Sequence, residues 1–98
     1  MLGICTAIGE IDVATAPAFN TVLHDTIDNS EEPIVSVDCT DLTFIDLAGY
    51  HVLVDATQYA MRRGRTLVIR NLSTSCARLI QLYDADRELR LELEPSSR

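Results

Sequence analysis

The sequence is short of several features that mark particular classes of protein. Its 98 residues contain no tryptophan and only three cysteines, Cys5, Cys39 and Cys76, which form no Cys-x-x-Cys pair. An odd number of cysteines argues against a disulfide framework. Zinc needs about four ligands at suitable spacing, and these thiols together with His24 and His51 do not supply such a set. We therefore expect no metal, haem or other cofactor.

Basic charge and long apolar runs are also scarce. Fifteen acidic residues outnumber eight basic ones, for a formal net charge of −7. Such a surface repels phosphate backbones and anionic membranes, which argues against a nucleic-acid reader. No apolar run approaches the roughly 20 residues of a membrane helix, and the N-terminus shows no basic segment followed by an apolar stretch, as an export signal would. We expect a cytoplasmic protein without membrane insertion.

The composition that remains is that of one globular domain. Hydrophobic residues make up 47% of the chain and charged residues 23%. These values exclude a disordered tail, a collagen-like repeat and a coiled coil. A chain of this length can bury roughly 60 to 70% of its unfolded surface. We predict a single domain over residues 1–98, with its core in about 2–93 and a tail over 94–98.

Strand and helix patterns alternate along the chain. Short apolar or β-branched runs predict strands, and residues that recur at helical spacing predict helices. We predict strands over residues 2–8, 34–39, 66–70 and 89–93, and a loop over 40–45. We predict three helices, capped by Thr15, by Asp46, and by Ser73 or Thr74. The helix that follows Asp46 is predicted to end at Arg63. This alternation indicates an α/β fold with largely parallel strand pairing.

The second predicted helix has two different faces. At 100° per residue, its core stripe holds Tyr50, Leu53, Val54, Thr57 and Met61, flanked by residues that include Ala56 and Ala60. A separate stripe holds Leu47, His51, Asp55, Gln58 and Arg62, and four of these five are polar. Leu47 is therefore an apolar residue on a solvent face. One interpretation is a lone exposed leucine without function. The other is an apolar anchor in a protein–protein contact, with His51 beside it.

Two aspartates are candidates for acid–base chemistry or for capping. Asp46 opens the second helix, where its carboxylate can accept hydrogen bonds from free N–H groups. Asp12 follows the first strand, and sites gather at the carboxyl ends of parallel strands, so the two carboxylates could approach one another. Turn polarity and capping explain both residues as well, and we favour that interpretation. No nucleophile–base pair or glycine-rich phosphate loop is present, so we do not expect an enzyme.

Four segments carry a resemblance to a known family. They are Gly9-Glu10-Ile11-Asp12, Val37-Asp38, the stretch from Leu42 to Gly49 with the sequence Leu-Thr-Phe-Ile-Asp-Leu-Ala-Gly, and Arg62-Arg63-Gly64. Together they resemble the STAS domain of bacterial anti-sigma factor antagonists, from about Leu2 to Leu93. The resemblance implies a four- or five-stranded, mostly parallel or mixed sheet with about three helices packed mainly on one side.

The resemblance also implies a function. In such antagonists the unmodified protein binds an anti-sigma factor that is also a serine kinase, and this frees the sigma factor. The kinase then phosphorylates a serine or threonine that follows the aspartate of an Asp-Ser-Ala-Gly motif, and the complex separates. Here that motif is Asp46-Leu47-Ala48-Gly49. Leucine has no hydroxyl, so the resemblance implies an antagonist-like module that is not phosphorylated at the usual position.

The residues expected at the partner-binding site follow from this motif and the loops beside it. They are Asp12, Thr43, Asp46, Leu47, Ala48, Gly49 and His51. Thr43 is the best alternative phosphoacceptor, although loop threonines usually satisfy local backbone groups. The expected partner is an anti-sigma factor with a serine-kinase-like fold.

Three further hypotheses stay open at this point. Stand-alone STAS proteins of this length also resemble the small cytoplasmic component of bacterial lipid-transport ABC systems, which contacts the nucleotide-binding subunit. The family normally has one more strand before the one that ends near Gly9, and without it a bare sheet edge favours a weak homodimer. Redox control through Cys5, Cys39 and Cys76 is the third, although buried free cysteines usually act as small hydrophobes.

Overall fold

The computed structural model describes residues 3–93, in which four strands alternate with three helices. The elements are β1 (Ile4–Ile11), α1 (Ala16–Asn29), β2 (Ile34–Ile45), α2 (Leu47–Arg62), β3 (Thr66–Leu72), α3 (Thr74–Tyr83) and β4 (Leu91–Leu93). The strands form one sheet in the order β1-β2-β3-β4, and every pair is parallel. The predicted α/β order is confirmed. Residue 2 of the predicted first strand and the predicted tail over 94–98 lie outside the described residues.

One face of the sheet packs on the helices. In β1, Cys5 and Ala7 are buried, whereas Ile4 before them and Ile8 after them are 56% and 70% exposed. This alternation is typical of a strand with one covered face. The buried strand residues join those of the helices in one core, which includes Val35, Val37, Ile69, Leu23, Ile27, Leu53 and Ile80.

The predicted loop over residues 40–45 is wrong, because β2 continues to Ile45. The register between β1 and β2 slips at two points, and at each point β2 gains one residue over β1. Such bulges shift the alternation of a strand. They bring Leu42 and Ile45 to the core, where both are buried. Because the bulges interrupt the period of two, the sequence pattern ends the strand at Cys39.

Other strand bounds also differ from the prediction. β1 runs three residues past its predicted end, to Ile11, and passes through Gly9 at φ 75°. β4 starts at Leu91 rather than Leu89. The Leu89 N–H does not join the sheet ladder but donates to the Asp84 Oδ2 at 3.2 Å. Apolar side chains alone do not report where backbone pairing stops.

The buried arc of α2 is rotated from the predicted core stripe. Tyr50 and Leu53 are buried as expected, but Met61 is 67% exposed, which corrects its assignment to the core. Ala56 and Ala60 are fully buried instead. Small side chains let a helix lie close to its neighbours, so the alanines rather than the long methionine face the interior.

Candidate protein-interaction site

The start of α2 is held by Asp46. Its backbone is extended, with φ −101° and ψ −171°, and its Oδ1 accepts a hydrogen bond from the Gly49 N–H at 3.0 Å. The predicted capping role is confirmed. The Asp46 N–H donates to the Ile11 carbonyl at 3.1 Å. The first turn of α2 is therefore attached directly to the end of β1.

Gly49 is buried and allows this close approach. A Cβ at that position would lie 2.7 Å from the Ile45 Cγ1, 2.8 Å from the Ile11 Cγ2 and 2.9 Å from the Ile11 carbonyl oxygen. No side chain fits there without movement of its neighbours. Gly49 thus serves the site by positioning the first turn of α2.

Leu47 lies on the outside of that turn. Its side chain is 50% exposed, as the helical pattern predicts. His51, one turn further along the same face, is also exposed, and Ala48 between them is half-buried. The leucine therefore extends toward solvent from a helix start whose backbone is fixed by a cap and a glycine contact.

Asp12 organises the loop between β1 and α1. Its Oδ1 accepts from the Ala14 N–H and the Thr15 N–H, both at 3.0 Å, and lies 3.2 Å from the Thr15 hydroxyl oxygen, whose single proton is shared with the nearer Glu10 carbonyl. Thr15 occupies the N-cap position of α1, but its hydroxyl caps nothing in that helix and donates to the Glu10 carbonyl at 3.0 Å. The predicted capping role of Thr15 is therefore wrong. The Asp12 carboxylate accepts from the N–H groups just before α1, and the first N–H of the helix, that of Ala16, donates to the Asp12 carbonyl.

The hydrogen bonds of Asp12 bear on the acid–base hypothesis. The Thr15 N–H, together with the Thr15 hydroxyl and the Ala14 N–H, lowers the pKa of the Asp12 carboxyl. Asp12 therefore stays ionised and acts as an acceptor. Asp46 is engaged in its own cap. These contacts favour a turn-forming role for Asp12 and a capping role for Asp46 over an acid–base pair.

Thr43 lies in the bulged part of β2, beside the start of α2. Its side chain is exposed, and its hydroxyl donates to the Gly9 carbonyl at 3.0 Å. This bond ties the strand to β1 and uses the hydroxyl proton of the residue expected as the alternative phosphoacceptor.

Exposed apolar side chains lie close in sequence to Ile11 and Asp46, the two residues that join β1 to the start of α2. Val13 is 75% exposed two residues after Ile11, and Phe44 is 41% exposed two residues before Asp46. We call Val13, Phe44, Leu47 and His51 the α2 patch. Val13 and Phe44 were not among the residues expected at the site, since a single apolar residue beside a strand end gives the same sequence pattern whether it faces the core or solvent.

A shallow groove of about 360 Å³ continues from this patch between the starts of α1 and α2. Its lining includes Val13, Ala16, Pro17, Ala48, His51 and Val52. Most of these side chains are apolar. Together with the α2 patch, the groove gives this end of the molecule an apolar contact surface.

Charge is distributed unevenly about this surface. Residues 1–61 contain ten aspartates and glutamates and no lysine or arginine. All eight basic residues are arginines from Arg62 onward, and Arg62 and Arg63 lie at the opposite end of α2. A 16-residue helix is about 24 Å long. The acidic residues Glu10, Asp12 and Asp46 are close to this surface in the sequence, and Asp55 lines the groove.

The three cysteines are buried free thiols. Burial raises the pKa of Cys5, and burial followed by the neighbouring Cys76 raises the pKa of Cys39 to about 12. The Cys76 Sγ lies 3.6 Å from the Leu42 carbonyl oxygen. Thiolate is the reactive form, so these surroundings disfavour the redox hypothesis.

The described residues contain neither a metal-binding cluster nor a membrane-spanning helix. Residues 3–93 hold no group of three or more histidine, cysteine, aspartate or glutamate side chains that could bind a metal ion. None of the three helices in this part of the chain combines the length and hydropathy needed to cross a bilayer.

A parallel sheet with helices on one face and an exposed apolar helix start define a small α/β domain with a contact surface. The chain belongs to the STAS domain family, whose model matches residues 2–97. STAS domains are generally non-enzymatic modules that bind other proteins. No curated protein matches the sequence.

Proposed function

We propose that the chain is an anti-sigma factor antagonist-like module that docks on a kinase-like anti-sigma factor through the α2 patch. The observation that carries the proposal is the 50% exposure of Leu47 directly after the capping Asp46. The family motif has its phosphoacceptor at this position. The leucine is therefore available to a partner where relatives present a hydroxyl.

The chemistry of leucine fixes the state of the module. A phosphoryl group would add about −1.5 to −2 charges at the helix start. Leucine cannot accept one, and burying the exposed half of this side chain against a partner stabilises the complex by about 0.7 to 1.5 kcal/mol. The module thus stays in the form that corresponds to the unmodified, binding-competent antagonist. The usual release step is absent at this position.

The nearby acidic residues specify the partner surface further. Glu10, Asp12 and Asp46 are close in the sequence to the exposed apolar side chains, and residues 1–61 supply no basic group to neutralise them. A partner with an apolar pocket bordered by arginine or lysine side chains complements such a surface. Charge complementarity of this kind acts mainly on association rate and specificity.

The identity of the partner is tested by affinity capture from the native cytoplasm. The wild-type chain, Leu47→Asp and Leu82→Asp serve as baits, since Leu82 is a comparably exposed leucine on α3. We expect the wild type and Leu82→Asp to retain a kinase-like anti-sigma factor and Leu47→Asp to lose it. Retention of a transporter ATPase in its place would overturn the proposal in favour of a transporter accessory subunit.

The missing release step is tested by restoring a hydroxyl. We incubate the captured kinase-like partner and ATP with the wild type, Leu47→Ser and Leu47→Ala, and record intact masses. We expect one phosphoryl group on Leu47→Ser only, followed by weaker binding to the partner. Phosphorylation of the wild type, mapped to Thr43 and removed by Thr43→Val, would contradict the claim that the module lacks this switch.

A further inference from the structure

The outer edge of β1 has free hydrogen-bonding groups in a known direction. Among residues 3–93, β1 pairs only with β2. The Gly3 carbonyl accepts from the Ser36 N–H, and the Gly9 carbonyl accepts from the Thr43 hydroxyl. The backbone N–H and C=O groups of the odd-numbered residues therefore point toward β2. Successive residues of a strand direct their N–H and C=O to opposite sides. The groups of Ile4, Thr6 and Ile8 therefore point outward.

This free edge ends at a defined place. The outward Glu10 carbonyl is already occupied, because the Thr15 hydroxyl donates to it at 3.0 Å. The turn before α1 thus closes the edge beyond Ile8. The extra residues at the two register slips belong to β2, so β1 itself stays regular along its free edge.

The edge lacks the devices that usually prevent strands from pairing. Proteins protect edges with charged residues, prolines or bulges. Residues 1–9 contain no charged residue and no proline, although the chain as a whole has a net charge of −7. Two copies repel one another less along this uncharged segment than across the acidic remainder of their surface.

We propose that the free edge of β1 binds the same edge of a second copy in an antiparallel, two-fold symmetric arrangement centred on Thr6. In this register, Ile4 of one copy lies opposite Ile8 of the other, and the Thr6 backbone groups of the two copies bond to each other. All three residues have outward backbone groups, so the pairing leaves the β1–β2 ladder intact.

The same register covers the exposed apolar side chains of β1. Ile4 and Ile8 are 56% and 70% exposed on the open face of the sheet. Side chains opposite one another in an antiparallel pair lie about 4.5 to 5.5 Å apart at their Cβ atoms. Ile4 of each copy then contacts Ile8 of the other, so the dimer contains two such pairs. The two four-stranded sheets become one sheet of eight strands.

The association state is measured by sedimentation velocity from about 1 μM to 1 mM, the range of a weak interface. We expect concentration-dependent dimers of the wild type. Ile8→Glu should weaken association roughly tenfold or more, since it places a carboxylate opposite an isoleucine. Leu82→Glu, at a leucine that is 78% exposed on α3, is the matched control and should dimerise normally. A wild type that stays monomeric throughout overturns the proposal.

A double variant tests the register itself. Ile4→Lys combined with Ile8→Glu places an ammonium opposite a carboxylate of the other copy at both ends of the seam. We expect it to dimerise more strongly than Ile8→Glu alone, and less strongly as salt is added. Failure of the second substitution to restore association would show that these positions do not face one another.

Amide hydrogen exchange gives an independent reading. With rising concentration of the wild type, the amides of Ile4 and Thr6 should become protected from exchange. In Ile8→Glu, the same amides should continue to exchange rapidly. Unchanged exchange at both amides in a sample that sediments as a dimer would place the interface elsewhere. The proposed dimer interface contains no residue of the α2 patch. If the dimer is not found, the docking proposal is therefore unaffected.

Discussion

The two ends of α2 differ in how their side chains are used. At the C-terminal end, the Tyr59 hydroxyl donates to the Asp28 Oδ1 at 2.6 Å, and the Arg63 Nη2 donates to the Tyr59 oxygen at 2.6 Å. Arg63 also pairs with Asp28 at 3.2 Å. At the N-terminal end, Leu47 extends an apolar side chain into solvent instead.

The difference separates a structural end from an interaction end. The contacts of Tyr59 and Arg63 join α2 to α1 through Asp28, and the ring of His24 lies 4.4 Å from that of Tyr59. These groups are occupied within the molecule. At the helix start, Asp46 accepts from the Gly49 and Tyr50 N–H groups, while the apolar side chain of Leu47 stays exposed. Substitutions of Leu47 should therefore affect docking, whereas substitutions of Tyr59 should affect stability.

The largest effect on stability is expected at Gly49. Gly49→Ala forces a Cβ to within 2.7 to 2.9 Å of three atoms of Ile45 and Ile11. We expect the free energy of unfolding to fall by about 3 kcal/mol, measured by urea denaturation. Gly64→Ala, at the other end of α2, meets open space but keeps a φ of 73°, and should cost only about 1 kcal/mol. Equal losses would contradict the tight contact at the helix start.

A smaller loss is expected from Tyr59→Phe. The change removes the hydroxyl that bonds to both Asp28 and Arg63 while keeping the ring. Since these partners are exposed, we expect the free energy of unfolding to fall by about 1 kcal/mol. Docking of the isolated partner should be unaffected in a calorimetric titration. Weaker docking in Tyr59→Phe would show that the C-terminal end also belongs to the contact surface.

Asp12 predicts a dependence of stability on pH. Its folded pKa is lowered by the Thr15 and Ala14 hydrogen bonds, so it lies below the unfolded value of about 3.9. The carboxylate thus contributes stability above that unfolded value, and the contribution is lost as pH falls through the folded pKa. We expect wild type to be more stable than Asp12→Asn at neutral pH, with the gap closing in acid. A gap that widens on acidification would contradict this sign.

The smallest expected effect is at the cysteines. Because Cys5, Cys39 and Cys76 are buried and the pKa values of Cys5 and Cys39 are raised, none should react with iodoacetamide in the native state. Mass spectrometry after a short exposure, with a urea-denatured sample as control, reads the result. Rapid native modification of any of them would revive redox control.

The order of elements was accessible from the sequence because strands and helices differ in period. The two bulges of β2 could not be predicted from the sequence, because they are set by pairing with β1. They break the alternation of buried and exposed residues at Leu42 and Ile45. The exposure of Met61, at one end of the predicted core stripe, depends on which neighbours α2 meets. Local patterns do not contain that information.

The candidate site divides in the same way. The cap at Asp46 and the exposure of Leu47 follow from helix geometry, so residue spacing was enough to predict them. The role of Gly49 depends on the distance to Ile11 in another strand, and the exposure of Val13 depends on the course of a loop. Both are tertiary features.

One measurement tests the central claim most directly: the affinity of the purified kinase-like anti-sigma factor for the wild type and for Leu47→Asp, by isothermal titration calorimetry. An aspartate in the first turn suits the helix dipole, so the fold should be kept. We predict a loss of affinity of about a hundredfold for Leu47→Asp and none for the control Leu82→Asp. Equal affinities for wild type and Leu47→Asp would contradict the account.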